Sequence, residues 1–308
     1  MLLNPDLPPA AVPAAKPGPS NLRLRVIWGS LAAALLIGCT YGGPISFGLF
    51  FAGVQAVMLK EFYRIMRASG YAPAKWIGIG AGTILFIGTF WLTFNSIGEL
   101  DSVERFFRTF SNLASIELLW RGLALVLPVV LLIREILVWP RYPQPFANAA
   151  AVVFGILYIS VPIALLNVIA YRGGAYDARH VFCLIILVWA ADTGAYFAGK
   201  NFGKHKLAPG ISPGKTWEGW AGGALLALVT GWAFGQFVPD IPLTHRLVAA
   251  GVVAVFGPLG DLAESMLKRS AGVKDSGTFL PGHGGLLDRF DAFLLVLPVL
   301  VLLQLLAG

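Results

Sequence analysis

The sequence predicts an all-α integral membrane protein with about nine transmembrane helices. Hydrophobic residues make up 57% of the 308-residue chain and charged residues only 13%, whereas a soluble domain carries about 25% charged residues. Several runs of about 20 residues are almost free of charge, long enough as helices to cross a hydrocarbon core of about 30 Å. These runs should be helices because backbone polar groups in lipid must be satisfied within the segment. They also lack the strict alternation of a barrel strand.

We expect three regions along the chain. Residues 1–22 contain six prolines and should form a disordered tail. Residues 23–175 should form the N-terminal transmembrane helices, and residues 176–308 a C-terminal catalytic region with cytoplasmic motif loops. The predicted spans are roughly 26–42, 45–66, 74–94, 117–133, 149–170, 180–199, 217–237, 246–267 and 290–307.

The distribution of lysine and arginine predicts the orientation. If the N-terminus and every second loop lie on one side, that side carries 17 basic residues and the other carries 5. By the positive-inside rule the N-terminus and the loops after spans six and eight are therefore cytoplasmic. The tail has no basic start that leads directly into an apolar core, so we expect no cleavable signal peptide and place the protein in a bacterial plasma membrane.

The formal charge of +7 indicates anionic partners. The basic residues lie between apolar runs, which favours membrane lipid phosphates and a phosphate-bearing substrate and argues against nucleic acid. Cys39 and Cys183 lie inside apolar runs without metal or pairing spacing, so both are interpreted as small core residues.

The residues that indicate chemistry begin inside the eighth span. Asp261 lies in an apolar run, where an aspartate costs about 2.5–3.5 kcal/mol on insertion scales. On a helix Asp261, Ser265, Lys268 and Arg269 follow at i, i+4, i+7 and i+8, which places them on one face. The face would present a carboxylate, a hydroxyl and two cations. The simpler alternative is an ion pair between Asp261 and a basic neighbour on another helix.

Two further carboxylates stand at the head of the last span. Asp288 and Asp291 are three residues apart and should share a helix face. Either one alone could simply cap the helix N-terminus. Together with Asp261 they suit Mg²⁺, which takes one or two carboxylates and fills its octahedron with waters and substrate phosphates.

A glycine-rich loop joins these two helices. It carries Lys274, Asp275, His283, Gly284 and Gly285. Glycines let backbone amides approach an anion closely, so the loop is a candidate phosphate or nucleotide contact. No nucleophile and base suited to covalent catalysis lie nearby in the sequence.

A second polar cluster surrounds the loop after span six. Asp192 lies within the apolar run, and Ser212, Lys215 and Thr216 belong to a Ser-Pro-Gly-Lys-Thr segment, with Glu218 just inside the next span. The segment superficially resembles the end of a P-loop. It lacks the full Gly-x-x-x-x-Gly-Lys-Thr spacing and a preceding strand, so we reject that interpretation.

The stretch from Ser265 to Asp291 resembles the signature of the phosphatidate cytidylyltransferases, or CDP-diacylglycerol synthases. That signature reads Ser-x-apolar-Lys-Arg, four residues, Lys-Asp, and then His-Gly-Gly-apolar-x-Asp-Arg-x-Asp. Every fixed position is met here, by Ser265, Lys268, Arg269, Lys274, Asp275, His283, Gly284, Gly285, Asp288, Arg289 and Asp291. The segments around Asp192 and from Ser212 to Glu218 are similar to that family too, and Glu61-Phe62-Tyr63 more weakly. The good match covers about residues 185–295.

The resemblance implies that CTP and phosphatidate react to give CDP-diacylglycerol and pyrophosphate in phospholipid biosynthesis. It also implies a Mg²⁺ site, with a second metal ion as an option, and a homodimer. Asp261, Asp288 and Asp291 would hold metal. Lys268, Arg269, Lys274, His283 and Arg289 would contact phosphates, with Ser212, Lys215 and Thr216 completing the nucleotide pocket. Ser265, Asp275, Gly284, Gly285 and Asp192 would belong to the substrate-binding residues, and Lys268 and Arg269 to the catalytic ones.

Two other functions compete with this one. A membrane kinase that uses CTP on an isoprenoid alcohol would act on a neutral hydroxyl and would need a base and fewer cations. A transporter would use Asp192 and Asp261 to line a path, but transporters commonly show repeated halves. No repeat is visible here, and the polar residues concentrate in two loops on one predicted side.

Overall fold

The protein folds into α-helices joined by short loops and two small hairpins. A computed structural model describes residues 19–95, 102–172, 175–279 and 284–307. The helices are α1 (Pro19–Tyr41), α2 (Pro44–Ala68), α3 (Lys75–Asn95), α4 (Ser102–Val138), α5 (Pro145–Gly155), α6 (Val161–Ala170), α7 (Ala178–Phe202), α8 (Trp217–Ala233), α9 (Leu243–Ser270) and α10 (Leu287–Ala307). The hairpins pair β1 (Tyr171–Arg172) with β2 (Ala175–Tyr176) and β3 (Lys206–Ala208) with β4 (Ser212–Thr216), both antiparallel.

The all-α membrane prediction is confirmed in its coarse form. Within the described residues, six helical segments are long and apolar enough to cross a membrane, namely α2, α3, the continuous segment Pro145–Ala170, α7, α9 and α10. Each predicted span falls on a helix, but α1, α4 and α8 do not meet both criteria, so the count of nine and the N-terminal orientation stay predictions. Most of the predicted tail lies outside the described residues, and α1 begins at Pro19, inside its predicted limits.

The centre of the bundle is one buried face of α2. Phe47, Phe51 and Phe62 are fully buried on it, and the aromatic side chains supply the large buried area that fixes a core. The hydroxyl of Tyr63 donates to the carbonyl of Val152 on α5 over 3.1 Å. Helix α2 is therefore fixed against α5 in the middle of the bundle.

Helices α5 and α6 are joined without a break by one π-helical turn, Ile156–Ser160. Such turns are rare and are found most often at functional sites. Ser160 is fully buried and accepts a 2.8 Å hydrogen bond from the amide of Gln55 on α2. The turn is therefore tied to the core helix.

Glycines let the C-terminal helices approach each other closely. A Cβ at Gly194 on α7 would lie 2.6 Å from the carbonyl oxygen of Gly222 on α8, and one at Gly260 on α9 would lie 2.5 Å from that of Asp291 on α10. Small residues at such crossings are how helices pack when no hydrophobic force drives them together in lipid. One crossing holds α7 against α8 and the other holds α9 against α10, both near the polar residues.

Candidate active site

Three aspartates from three helices converge beside the α9–α10 crossing. The crossing at Gly260 brings Asp261 on α9 and Asp291 on α10 together, and Asp192 on α7 lies within electrostatic range of both. Asp261 keeps 43% of its side chain exposed. The helices thus assemble carboxylates that are 30 to 99 residues apart in the chain, at the edge of an apolar bundle.

The second polar cluster, in the β3–β4 hairpin, contacts Asp261 through Lys215. The β3–β4 hairpin carries this residue across to α9, where its Nζ lies 2.6 Å from Asp261 Oδ2 and donates to the carbonyl of Pro258 over 3.2 Å. The indole of Trp220 adds a 2.9 Å hydrogen bond to the carbonyl of Ala254. The two motif regions predicted from sequence therefore form one site.

Two side chains fix the shape of the β3–β4 hairpin. Thr216 caps α8 by accepting a 3.1 Å hydrogen bond from the amide of Gly219, as preferred at a helix N-terminus. Glu218 accepts from the backbone amides of Lys204 and His205 and lies 2.6 Å from His205 Nδ1. The hairpin that presents Lys215 is thus held from both ends.

The predicted face of α9 divides into two groups. Ser265 donates to Asp261 over 3.3 Å, as the i, i+4 spacing predicts. One turn further on, Lys268 does not face solvent. Its ammonium lies 2.7 Å from Asp288 Oδ1 and pairs with Glu264, a fully buried carboxylate. Lys268 therefore pairs with two carboxylates inside the protein.

Asp288 organises the loop between α9 and α10. Besides Lys268, it accepts hydrogen bonds from the amides of Gly285 (2.8 Å) and Ser276 (3.1 Å). Gly284 adopts a φ of +83°, which other residues rarely adopt, and a Cβ there would lie 2.7 Å from the Asp288 carboxylate. Asp288 and Asp291 both lie at the start of α10, but they contact different residues.

Glu61 of α2 holds the same loop from the opposite side. Its buried carboxylate accepts from the amide of Leu287 over 2.9 Å and from the hydroxyl of Ser276 over 3.3 Å. Arg64, one turn along α2, donates to the carbonyl of Ser276. The N-terminal half of the chain therefore supports the motif loop directly.

The remaining predicted residues surround this centre. Arg269, Lys274 and Arg289 are exposed, as phosphate contacts in an open site would be. Asp275 is exposed too, and Ser212 is partly buried at the start of β4. Electrostatic interaction links Arg289 to Asp192. His283 lies outside the described residues.

Sequence reasoning missed Glu264 and the role of Glu61. Both are acidic residues in apolar stretches, the same signal that pointed to Asp261 and Asp192. Glu61 entered only through its weak resemblance to the family motif. The i, i+4 spacing could have paired Glu264 with Lys268, whereas the contacts of Glu61 with Leu287 and Ser276 could not be predicted from spacing.

The donor set at Asp192, Asp261 and Asp291 fits a hard divalent cation. Oxygen ligands are those that Mg²⁺ prefers, and a dication would offset the repulsion among three carboxylates that the nearby Lys215 and Arg289 only partly balance. Neither this set nor the predicted set of Asp261, Asp288 and Asp291 has its ligand atoms all within 4.8 Å of one another in the described residues. Asp288 is held apart by its own contacts.

A different group at the other end of α7 brings three possible metal ligands within 4.8 Å: Asp177, His180 and Asp240. They line a cavity of about 530 Å³. The guanidinium of Arg179 lies 2.6 Å from Asp177 and 3.2 Å from Asp240, and its hydrogen bonds lower the pKa of Asp177 below the ordinary value. The group could hold a metal, but a cationic side chain already bridges its two carboxylates.

Comparison with known proteins extends the resemblance over almost the whole chain. The profile of the cytidylyltransferase family matches residues 23–306. A protein of Bacillus subtilis named phosphatidate cytidylyltransferase is 34% identical over 286 residues, which are 92% of this chain and 97% of that protein. One of Haemophilus influenzae with the same name is 34% identical over 279 residues, 87% and 93% of the two chains.

A third protein with that name, from Staphylococcus saprophyticus, is 43% identical over 159 residues, 51% of this chain and 60% of its own length. The sequence motifs predicted the same family from about 40% of the chain. The match over residues 23–306 adds the N-terminal helices, including α2, whose Glu61 and Arg64 support the motif loop.

Proposed function

This chain belongs to the cytidylyltransferase family of enzymes, and we propose that it transfers a cytidylyl group from CTP to phosphatidate. The products would be CDP-diacylglycerol and pyrophosphate, so the enzyme would serve phospholipid biosynthesis. The names of the relatives support the substrates. One structural observation carries the proposal: Lys215 of the hairpin meets Asp261 of α9 beside two further carboxylates, so cationic and metal-binding groups share one site.

The proposed reaction does not need a strong general base. A phosphate oxygen of phosphatidate attacks the α-phosphorus of CTP, a new P–O bond forms, and the bond to the leaving pyrophosphate breaks. A phosphate monoester has a second pKa of about 6, so the nucleophile is already largely ionised at neutral pH. The difficulty is bringing two anions together, and positive charge lowers that barrier.

We assign the metal to Asp192, Asp261 and Asp291. Mg²⁺, with a second ion as an option, would supply Lewis-acid stabilisation of the phosphates. Asp288 was predicted as a ligand. Its contacts with Lys268, Gly285 and Ser276 support a role in fixing the loop around the metal instead.

The exposed cations and the glycine loop would bind phosphate groups. Lys215, which pairs with Asp261, would contact a phosphate of CTP. The other proposed phosphate contacts are Arg269, Lys274, His283 and Arg289, with Gly284 and Gly285 offering backbone amides. Ser212, Thr216, Ser265 and Asp275 would complete the substrate pocket. Lys268 would act by holding Asp288 and Glu264.

The remaining proposals concern the membrane. We propose nine spans with a cytoplasmic N-terminus in a bacterial plasma membrane, an N-terminal scaffold of residues 23–175, a catalytic region of residues 176–308, and a homodimer. This orientation would place the β3–β4 hairpin and the α9–α10 loop in the cytoplasm. That is the compartment in which CTP is made.

Position-specific labels on CTP test the proposed reaction. Purified protein is given phosphatidate or a polyprenol, together with CTP labelled at either the α- or the γ-phosphorus. Cytidylyl transfer puts the α label into a lipid only when phosphatidate is present. Transfer of the γ label to the polyprenol would instead identify the kinase that competes with this proposal.

A further inference from the structure

A tyrosine from the N-terminal half of the chain lies beside the carboxylates of the site. Tyr158 belongs to the π-helical turn Ile156–Ser160. Its phenol lies within electrostatic range of Glu264, Asp291 and Asp261, in that order of strength. None of the sequence motifs contains this residue.

The hydroxyl of Tyr158 is buried and has no hydrogen-bond partner among the described residues. Buried hydroxyls normally find a partner, and an unpartnered one in a native structure calls for an explanation. Glu264 shows the same feature. Its side chain is fully buried, Lys268 pairs with Oε2, and Oε1 has no hydrogen-bond partner in the described part of the chain. A donor and an acceptor thus lie near the same carboxylates.

Packing fixes the direction of the tyrosine ring. Phe154 stacks on it at 5.6 Å with an interplanar angle of 12°, and Phe62 of the α2 core lies 6.2 Å away. The ring is therefore held in one orientation by its aromatic neighbours.

We propose that Tyr158 is a positioning residue for the catalytic cation, with its hydroxyl and Glu264 Oε1 hydrogen-bonded to water molecules of the ion that Asp261 and Asp291 bind. The inference rests on the proposed function. Mg²⁺ keeps several of its waters when proteins bind it, so it needs partners for them as well as direct ligands. Loss of such an outer partner typically weakens metal binding about 10- to 100-fold.

A matched pair of substitutions isolates the effect. Tyr158→Phe removes the hydroxyl and keeps the ring. Tyr171→Phe makes the same change in β1. Among the described residues the Tyr171 hydroxyl is also buried without a hydrogen-bond partner, and no carboxylate acts on it. Both proteins, wild type and Asp291→Asn are purified in lipid nanodiscs, and Mn²⁺ binding is followed by electron paramagnetic resonance of the free ion.

Wild type should bind Mn²⁺, Tyr158→Phe should bind it about 10-fold more weakly, and Tyr171→Phe should match wild type. Without metal, Tyr158→Phe should unfold at the wild-type temperature or above, because the hydroxyl has no partner to lose. Unchanged Mn²⁺ affinity in Tyr158→Phe would overturn the proposal. So would a lowered unfolding temperature without metal, since the hydroxyl would then have a structural role.

The controls separate this inference from the proposed function. If Asp291→Asn binds Mn²⁺ like wild type, the metal assignment is wrong and the role of Tyr158 is overturned with it. Turnover of CTP and phosphatidate by wild type is measured on the same preparation. If wild type turns over and Tyr158→Phe binds Mn²⁺ like wild type, the proposed function stands and only the role of Tyr158 is overturned.

Discussion

The ammonium of Lys215 lies 2.6 Å from Oδ2 of Asp261, although 45 residues separate them in the chain. The contact joins the β3–β4 hairpin to the middle of α9. It places a flexible cation beside the carboxylates that we assign to the metal. Because we propose that this lysine contacts CTP next to the metal site, its removal is the first prediction.

Lys215→Ala should lower kcat/KM for CTP by about 100-fold or more, the usual effect of removing one group that stabilises developing charge. Lys206→Ala is the matched control, because Lys206 is an exposed lysine on the neighbouring strand of the same hairpin. Steady-state kinetics of both variants check this. Equal losses in the two would mean that only the general positive charge of the hairpin matters.

Gly260→Ala should abolish activity by separating α9 from α10. The added Cβ would lie 2.5 Å from the carbonyl of Asp291, so the helices must move apart and take Asp261 and Asp291 with them. Gly251→Ala adds the same methyl to the same helix, where nothing lies within 4 Å. Activity and thermal unfolding should be normal in the Gly251 variant. A fully active Gly260 variant would refute the close crossing.

Glu61→Ala should destabilise the protein by about 1–3 kcal/mol and reduce activity, because the amide of Leu287 and the hydroxyl of Ser276 lose a buried acceptor. Glu61→Gln, which keeps an acceptor oxygen, should lose less. Denaturant unfolding in detergent measures the difference. Lys60→Ala, an exposed neighbour on α2, serves as the control and should change neither stability nor activity.

Labelling from outside the cell tests the proposed orientation. In a protein whose Cys39 and Cys183 are replaced by alanine, a cysteine at Lys204 should react with a membrane-impermeant maleimide only after lysis. A cysteine at Pro239, in the turn between α8 and α9, should react in intact cells. Both positions are exposed. The reverse pattern would place the motif loops outside the cytoplasm.

Helices and motifs could be predicted from the sequence because both depend on local patterns. Each of the nine apolar runs coincides with a helix. The i, i+4 spacing correctly placed Ser265 beside Asp261. Lys268 at i+7 is different. Its pair with Glu264 follows the i, i+4 spacing of one helix, but its contact with Asp288 depends on how α9 meets α10, which spacing within one helix does not contain.

The same limit applies to the carboxylates at the head of α10. Asp288 and Asp291 look equivalent in the sequence, yet Asp288 accepts hydrogen bonds from Gly285 and Ser276 while Asp291 lies at the crossing with Gly260. Only the tertiary arrangement separates a residue that holds a loop from one that faces other carboxylates. Contributions from distant helices, such as Glu61, are hidden for the same reason.

Pyrophosphate release by Asp261→Asn tests the central claim most directly. Wild type, Asp261→Asn and Asp240→Asn are supplied with CTP, phosphatidate and Mg²⁺, the last variant altering a carboxylate in the turn before α9, outside the proposed site. We predict release by wild type and by Asp240→Asn at equal rates, and a loss of about 100-fold or more in Asp261→Asn. Full activity of Asp261→Asn, or no phosphatidate-dependent release by wild type, would contradict the account.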